Sequence, residues 1–284
     1  MSKRHLLMAL LVIGVSCGQA RRADYANNPT GYDLGNPEVF ELTKALDEIS
    51  GISFKEGDPD TIYAQQDEDG ELFYFTWGDQ KPKRTKFGKP GDYEDIAVLH
   101  EKVVILRSDG SLYRFSLAEK HRTELTSEEW KTPFPAGEYE SLAATPHDSL
   151  LYVLCKNCKE DKKRLAATGY AFRFGQDGAL SQRFTFAIHF DQIEQLVPLK
   201  GKSFQPSAMA WNPFTRQWFV IASINKLLVI LDEQWHVTSA HRLDPKIYTQ
   251  PEGIAFDANR NLYISNEKGK KGNRATIFKF QFSS

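Results

Sequence analysis

The sequence predicts an all-β fold, a single β-propeller of four-stranded blades, and three observations predict it. A phrase in which a polar residue opens a short apolar run recurs as DEISGISF (47 to 54), YEDIAVL (93 to 99), YESLAAT (139 to 145), QPSAMAW (205 to 211) and QPEGIAFD (250 to 257). Aligned on the acidic position, Glu48, Glu94, Glu140, Ser207 and Glu252 follow one another at 46, 46, 67 and 45 residues. A period in the mid-forties is that of a four-stranded blade, longer than a solenoid repeat built from one strand and a turn. Between the phrases, alternating apolar runs are separated by tight turns such as Asp69-Gly70 and Asp109-Gly110, with few helical stretches.

Residues 1 to 20 read MSKRHLLMALLVIGVSCGQA, with Lys3 and Arg4 ahead of an apolar run from Leu6 to Val15. Such a run spans about half of a bilayer core and reads as a secretory signal. The small residues before Cys17 match a bacterial lipobox, although Gly14 stands where leucine is usual. The expected organisation is a lipoprotein signal peptide over 1–16, acylation of Cys17, a lipidated tether over 17–29 and the propeller over 30–284. Gly14 to Gly18 also spell G-x-S-x-G, but a nucleophile elbow needs a strand before it and a helix after it, which a signal segment does not offer.

The first unit predicts strands at Ile52 to Phe54, Ile62 to Gln65 and Glu71 to Phe75. The second predicts them at Ile96 to Leu99, Val103 to Leu106 and Ser111 to Phe115, and the last at Gly253 to Phe256, Asn261 to Ser265 and Ala275 to Phe282. The long third interval is assigned to a charged loop, CKNCKEDKKR (155 to 164), and a helical stretch from Asp191 to Val197. Five blades follow from the count, with a sixth, degenerate blade between Glu140 and Ser207 as the alternative. The last unit is one strand short, so the segment Tyr32 to Leu46 is expected to supply its outer strand and close the ring, which removes an open sheet edge.

The 284 residues are 41% hydrophobic and 26% charged, enough for one large domain without requiring a second. Lys plus Arg number 36 against 37 Asp plus Glu, and this balance argues against a nucleic-acid partner.

LDEISGISF (46 to 54), followed by TIYAQQDEDGELFYF (61 to 75), and QPEGIAFDANRNLYISNE (250 to 267) resemble the signature segments of the SdiA-regulated (YjiK/CarP-like) family. The resemblance covers roughly residues 30 to 284. It implies a β-propeller of the bacterial envelope, linked to calcium-responsive behaviour, and it implies no particular reaction.

In a propeller, the loops leading into the first strand and those joining the second strand to the third lie on one face. Glu48, Glu94, Glu140 and Glu252 are therefore expected around the central channel, with Asp67, Asp69, Arg107, Asn266 and Glu267 in the neighbouring loops. Carboxylates aimed at one axis repel one another, and a divalent cation would relieve them. Oxygen donors without histidine or thiolate suit calcium or magnesium better than zinc. The competing reading is architectural, each glutamate capping backbone N–H groups or pairing with Arg107 or a lysine. Ser207 leaves the ring without a charge in one blade. Cys155 and Cys158 are candidates for a local disulfide in an oxidising envelope, since a zinc site needs about four donors.

These residues favour a lipid-anchored binding or scaffolding module with a calcium-holding channel face over a metal-assisted phosphoester or ester hydrolase. Hydrolysis needs a cationic clamp near the metal, and Arg107 is the obvious candidate in these loops. The expected partners are the membrane, through the anchor, and a protein or small molecule whose identity the sequence does not give. The expected location is the outer membrane facing the periplasm, because no acidic run follows Cys17.

Overall fold

The computed structural model describes residues 27–175, 177–269 and 272–283. After β1 (Glu38–Glu41) the chain builds five antiparallel sheets of four strands. Blade I is β2 (Ile49–Phe54), β3 (Thr61–Gln66), β4 (Glu71–Thr76) and β5 (Lys83–Lys86). Blade II is β6 (Tyr93–Leu99), β7 (Lys102–Arg107), β8 (Leu112–Ser116) and β9 (Glu128–Trp130). Blade III is β10 (Gly137–Thr145), β11 (Leu150–Cys158), β12 (Ala166–Phe174) and β13 (Leu180–His189). Blade IV is β14 (Ala208–Asn212), β15 (Gln217–Ala222), β16 (Leu227–Leu231) and β17 (Val237–Arg242). Blade V is β18 (Pro251–Phe256), β19 (Leu262–Asn266) and β20 (Thr276–Phe280), completed by β1. Glu38 to Glu41 pair with Lys279 to Thr276, so the N-terminal segment closes the ring.

The first strands of the blades touch in sequence, β2 on β6, β6 on β10, β10 on β14, β14 on β18 and β18 back on β2, and so form the wall of a central channel. Their middle strands are buried on both faces, which is why they read as unbroken apolar runs. In β7, Val103 and Ile105 pack between blades I and II, whereas Val104 and Leu106 pack between II and III. Side chains at the inner strands, and Ser265 of β19, also bond across blade boundaries. Val98 N–H donates to Ser53 Oγ (3.1 Å) and Leu142 N–H to Asp95 Oδ2 (2.7 Å). The hydroxyl of Ser207 donates to the Pro251 carbonyl (3.0 Å), and that of Ser265 to the Ser50 carbonyl (2.6 Å).

The long third interval holds no sixth blade. Its strands run to nine or ten residues, and it carries α1 (Lys159–Arg164) and α2 (Phe190–Glu194). Residues 155 to 164, expected as a loop, are instead the end of β11 and all of α1. Acidic Glu160 and Asp161 in the first turn of α1 and basic residues in its last turn suit the helix dipole. The expected signal segment, Cys17 and most of the expected tether, at residues 1–26, lie outside the described residues. Among the described residues no helix is long and apolar enough to cross a membrane.

Candidate functional site

The inner strand of blades I, II, III and V is bulged near its start, and the bulge decides which residue turns out of the ladder. In blade II, Tyr93 pairs with Arg107 and Asp95 with Leu106, which leaves Glu94 as the extra residue. Blade III does the same with Glu140 between Tyr139 and Ser141, and blade V with Glu252 between Pro251 and Gly253. A bulge frees one residue from pairing and re-aims its side chain. In blade I, Ile49 pairs with Gln66 and Ile52 with Ala64, so the corresponding residue is Ser50, not Glu48. Alignment on acidity therefore misses by two residues in that blade. Glycine follows the bulged position in two blades because adjacent inner strands approach closely there. A Cβ at Gly51 would fall 2.7 Å from the Asp95 Cα, and one at Gly253 2.5 Å from the Ser50 carbonyl oxygen.

Glu48 nonetheless reaches the same face through its loop, where its carbonyl accepts the Asp67 N–H (3.2 Å). The carboxylates fall into two sectors. In the first, Lys156 forms an ion pair with the buried Glu140 and lies 3.5 Å from Glu138. Burial pushes Glu140 up to about 7, against the pull of the Lys156 ammonium. Burial pushes Glu94 up to about 9, helped by the negative charge of Glu140 and Asp92. Burial also opposes the charge on Lys156, but Glu140 outweighs it and holds this ammonium above its ordinary value. In the second sector, burial and then the Glu48 carboxylate raise Glu267 to about 8, and burial followed by Glu48 and Glu68 raises Asp67 to about 6. Glu252 stands between the sectors. Burial raises it, while Ser223, Lys156, Lys226 and Ser207 favour its charged form. Lys226 is itself lowered by burial and donates to the Thr249 carbonyl (2.6 Å).

The second sector also holds buried polar atoms without partners. Asn266 is 1% exposed, and neither its Oδ1 nor its Nδ2 has a hydrogen bond; the Oδ1 of Asp67 is likewise buried and unpaired. Such atoms cost about 1 to 3 kcal/mol each unless something meets them. Glu267 accepts one bond, from Gln250 Nε2 (2.7 Å).

Other residues singled out in the sequence lie elsewhere in function. Arg107 is folded onto its own hairpin, with Nε 3.0 Å from Asp109 Oδ1 and Nη1 3.0 Å from the Tyr113 hydroxyl. That fork holds Asp109 down at about 2, so Arg107 is spent on the blade and supplies no clamp to the channel. The cation that sequence reasoning missed is Lys156. Its only sequence signal was a position between two cysteines, because the bulges that set it against Glu140 cannot be counted from spacing. Asp69 is exposed in the β3–β4 turn. Cys155 and Cys158 are joined in a disulfide. With Asp161 they make the one compact cluster of potential metal ligands among the described residues, but the sulfurs are bonded to each other and Asp161 is held by Thr168 (N–H, 3.0 Å). No three of the channel carboxylates converge within reach of one ion in the same way.

No protein-family model and no curated protein sequence matches this chain. Solved structures of similar shape do. The glutaminyl cyclase of Myxococcus xanthus aligns with 87% of this chain and 94% of its own, at TM-score 0.59 and 12% identity. A luciferin-regenerating enzyme aligns over 87% and 95%, at 0.53 and 11%. Regucalcin from Agrobacterium tumefaciens, a calcium-binding protein, aligns over 89% and 94%, at 0.51 and 13%. At such identities the likeness is one of fold, and it places this chain among β-propellers related in architecture to the regucalcin and luciferin-regenerating propellers.

Proposed function

We propose that this protein is a propeller binding module whose carboxylate-lined channel mouth takes a divalent cation, with calcium the best match to an all-oxygen donor set. The observation that carries this reading is the sector of Glu48, Asp67, Asn266 and Glu267. It gathers three carboxyl groups and an orphaned buried amide, while Lys268, next in the chain, is turned to Asp47 (3.2 Å). Glu252 lies close enough to raise Glu267 as well. Because the oxygens do not converge on one point, the ion's shell would include water, as calcium shells of six to eight oxygens often do. That a propeller of similar fold is a calcium-binding protein makes the idea reasonable, but the support is this chain's own carboxyl groups.

Glu94 and Glu140 belong to a different role in this reading. Lys156 already neutralises part of their charge, so they shape the field at the channel and do not ligate. The hydrolase reading loses its clamp with Arg107. Anchoring through Cys17 to the envelope, in the periplasmic-facing leaflet of the outer membrane, remains part of the proposal and rests on residues 1–17 of the sequence.

Calorimetric titration with calcium and with magnesium tests the site. One calcium site is expected, weakened at least tenfold in Glu48→Gln and Glu267→Gln and nearly unchanged in Glu140→Gln. Absence of calcium binding, or equal binding in all variants, removes the reading. Metal-dependent turnover in a phosphatase and lactonase panel, lost in the same variants, would favour the hydrolase instead.

A further inference from the structure

The channel differs sharply between its two ends. Where the inner strands begin, it is ringed by carboxylates; where they end, it opens into an apolar cavity of about 370 Å³, walled by all five inner strands. One register position accounts for this void. It holds a small side chain in every blade, Ser53, Ala97, Ala143, Ala210 and Ala255. The spacing of five packed strands is set by the blades behind them, so small side chains at one level leave space that no neighbour can collapse to fill.

The polar groups of this wall are already engaged. Ser53 Oγ accepts the Val98 N–H, and the Asp257 carboxylate accepts Asn259 N–H (2.9 Å), Asn261 N–H (2.8 Å) and the Tyr263 hydroxyl (3.1 Å). Nothing in these groups would hold a charged ligand at depth, whereas the rim carries Trp211, the 40% exposed Phe214 and, outermost, Glu56 and His147. We propose that this end of the channel is a binding site for a small apolar molecule or hydrocarbon chain, its body among the alanines and any polar end at Glu56 and His147. The cavity is roughly two and a half times the ~150 Å³ apolar cavity that accepts benzene, which sets the ligand at about fifteen non-hydrogen atoms. The site is independent of the cation site at the other mouth.

Titration of the full chain with N-phenyl-1-naphthylamine, followed by its fluorescence, tests this, with decanol as competitor. Saturable binding at one site, displaced by decanol, is expected. Affinity should fall at least tenfold in Ala143→Phe and in the gentler pair Ala97→Val with Ala143→Val, and stay unchanged in Glu267→Gln. The valine pair guards against a phenylalanine that does not fold, and circular dichroism verifies the fold of each variant. No saturable binding to the parent, or equal affinity in the folded channel variants, overturns the proposal, the second result placing the probe on another apolar segment.

Discussion

Asp95 shows how a carboxyl group can be both buried and structural. Burial raises its pKa well above the ordinary value, while bonds from the Ile96 N–H (2.8 Å) and the Leu142 N–H (2.7 Å) work in the other direction. The second bond ties blade II to blade III. Asp95→Ala should therefore leave two buried amides unpaired and cost about 2 to 4 kcal/mol in urea unfolding, and a variant as stable as the parent would show that this bridge contributes nothing. At the same scale the sequence was a partial guide. The structure sets Glu94, Glu140 and Glu252, each of which opens an apolar run, at the bulges of three inner strands. In blade I the bulge falls on Ser50, two residues after Glu48, and Ser50 has no charge to mark it, since a bulge is a matter of pairing.

Among the elements, β1 and β11 carry the most consequence. β1 is short, yet it supplies the outer strand of blade V and pairs residue for residue with β20. Deleting residues 29 to 46 should abolish soluble folding, because β20 would be left an open edge and Tyr32 and Leu42 would leave the core; a truncated chain with unchanged thermal unfolding would refute this. The end of β11 is pinned by the disulfide between Cys155 and Cys158, with Lys156 between the two sulfurs in sequence. Closing so short a loop stabilises by about 2 kcal/mol in the chain-entropy account. Replacing both cysteines with alanine should lower stability by that amount, measured by thermal melting, and an unchanged melt would show the bridge to be without effect. The tight turns and the alternation made most strands legible beforehand. The strand and helix at 155 to 164 were not, because seven charged residues read as solvent-exposed loop until the nine-residue partner β10 extends β11 past Leu154.

For the molecule as a whole, the channel face links folding to pH. Glu94 and Glu267, at about 9 and about 8, and Asp67, at about 6, all bind protons more tightly folded than unfolded. The stability they contribute is fully present below the ordinary carboxyl range near pH 4 and is lost as pH rises through 6 to 9. The metal-free protein should accordingly melt at progressively lower temperature between pH 6 and 9, with calcium restoring more of the loss at pH 8.5 than at pH 6. A melting temperature flat across this range would remove the linkage. Repetition in the sequence by itself determined the four-stranded blade and the closing strand, since a mid-forties period of alternating apolar runs has few ways to bury both faces of every sheet; that the long third interval holds no sixth blade was decided by the structure. Which side chains meet at the axis was decided only by the tertiary structure. Bulges, loop paths and the pairing of Lys156 with Glu140 depend on contacts between residues that no local period brings together, and those contacts make one end of the channel acidic and the other apolar.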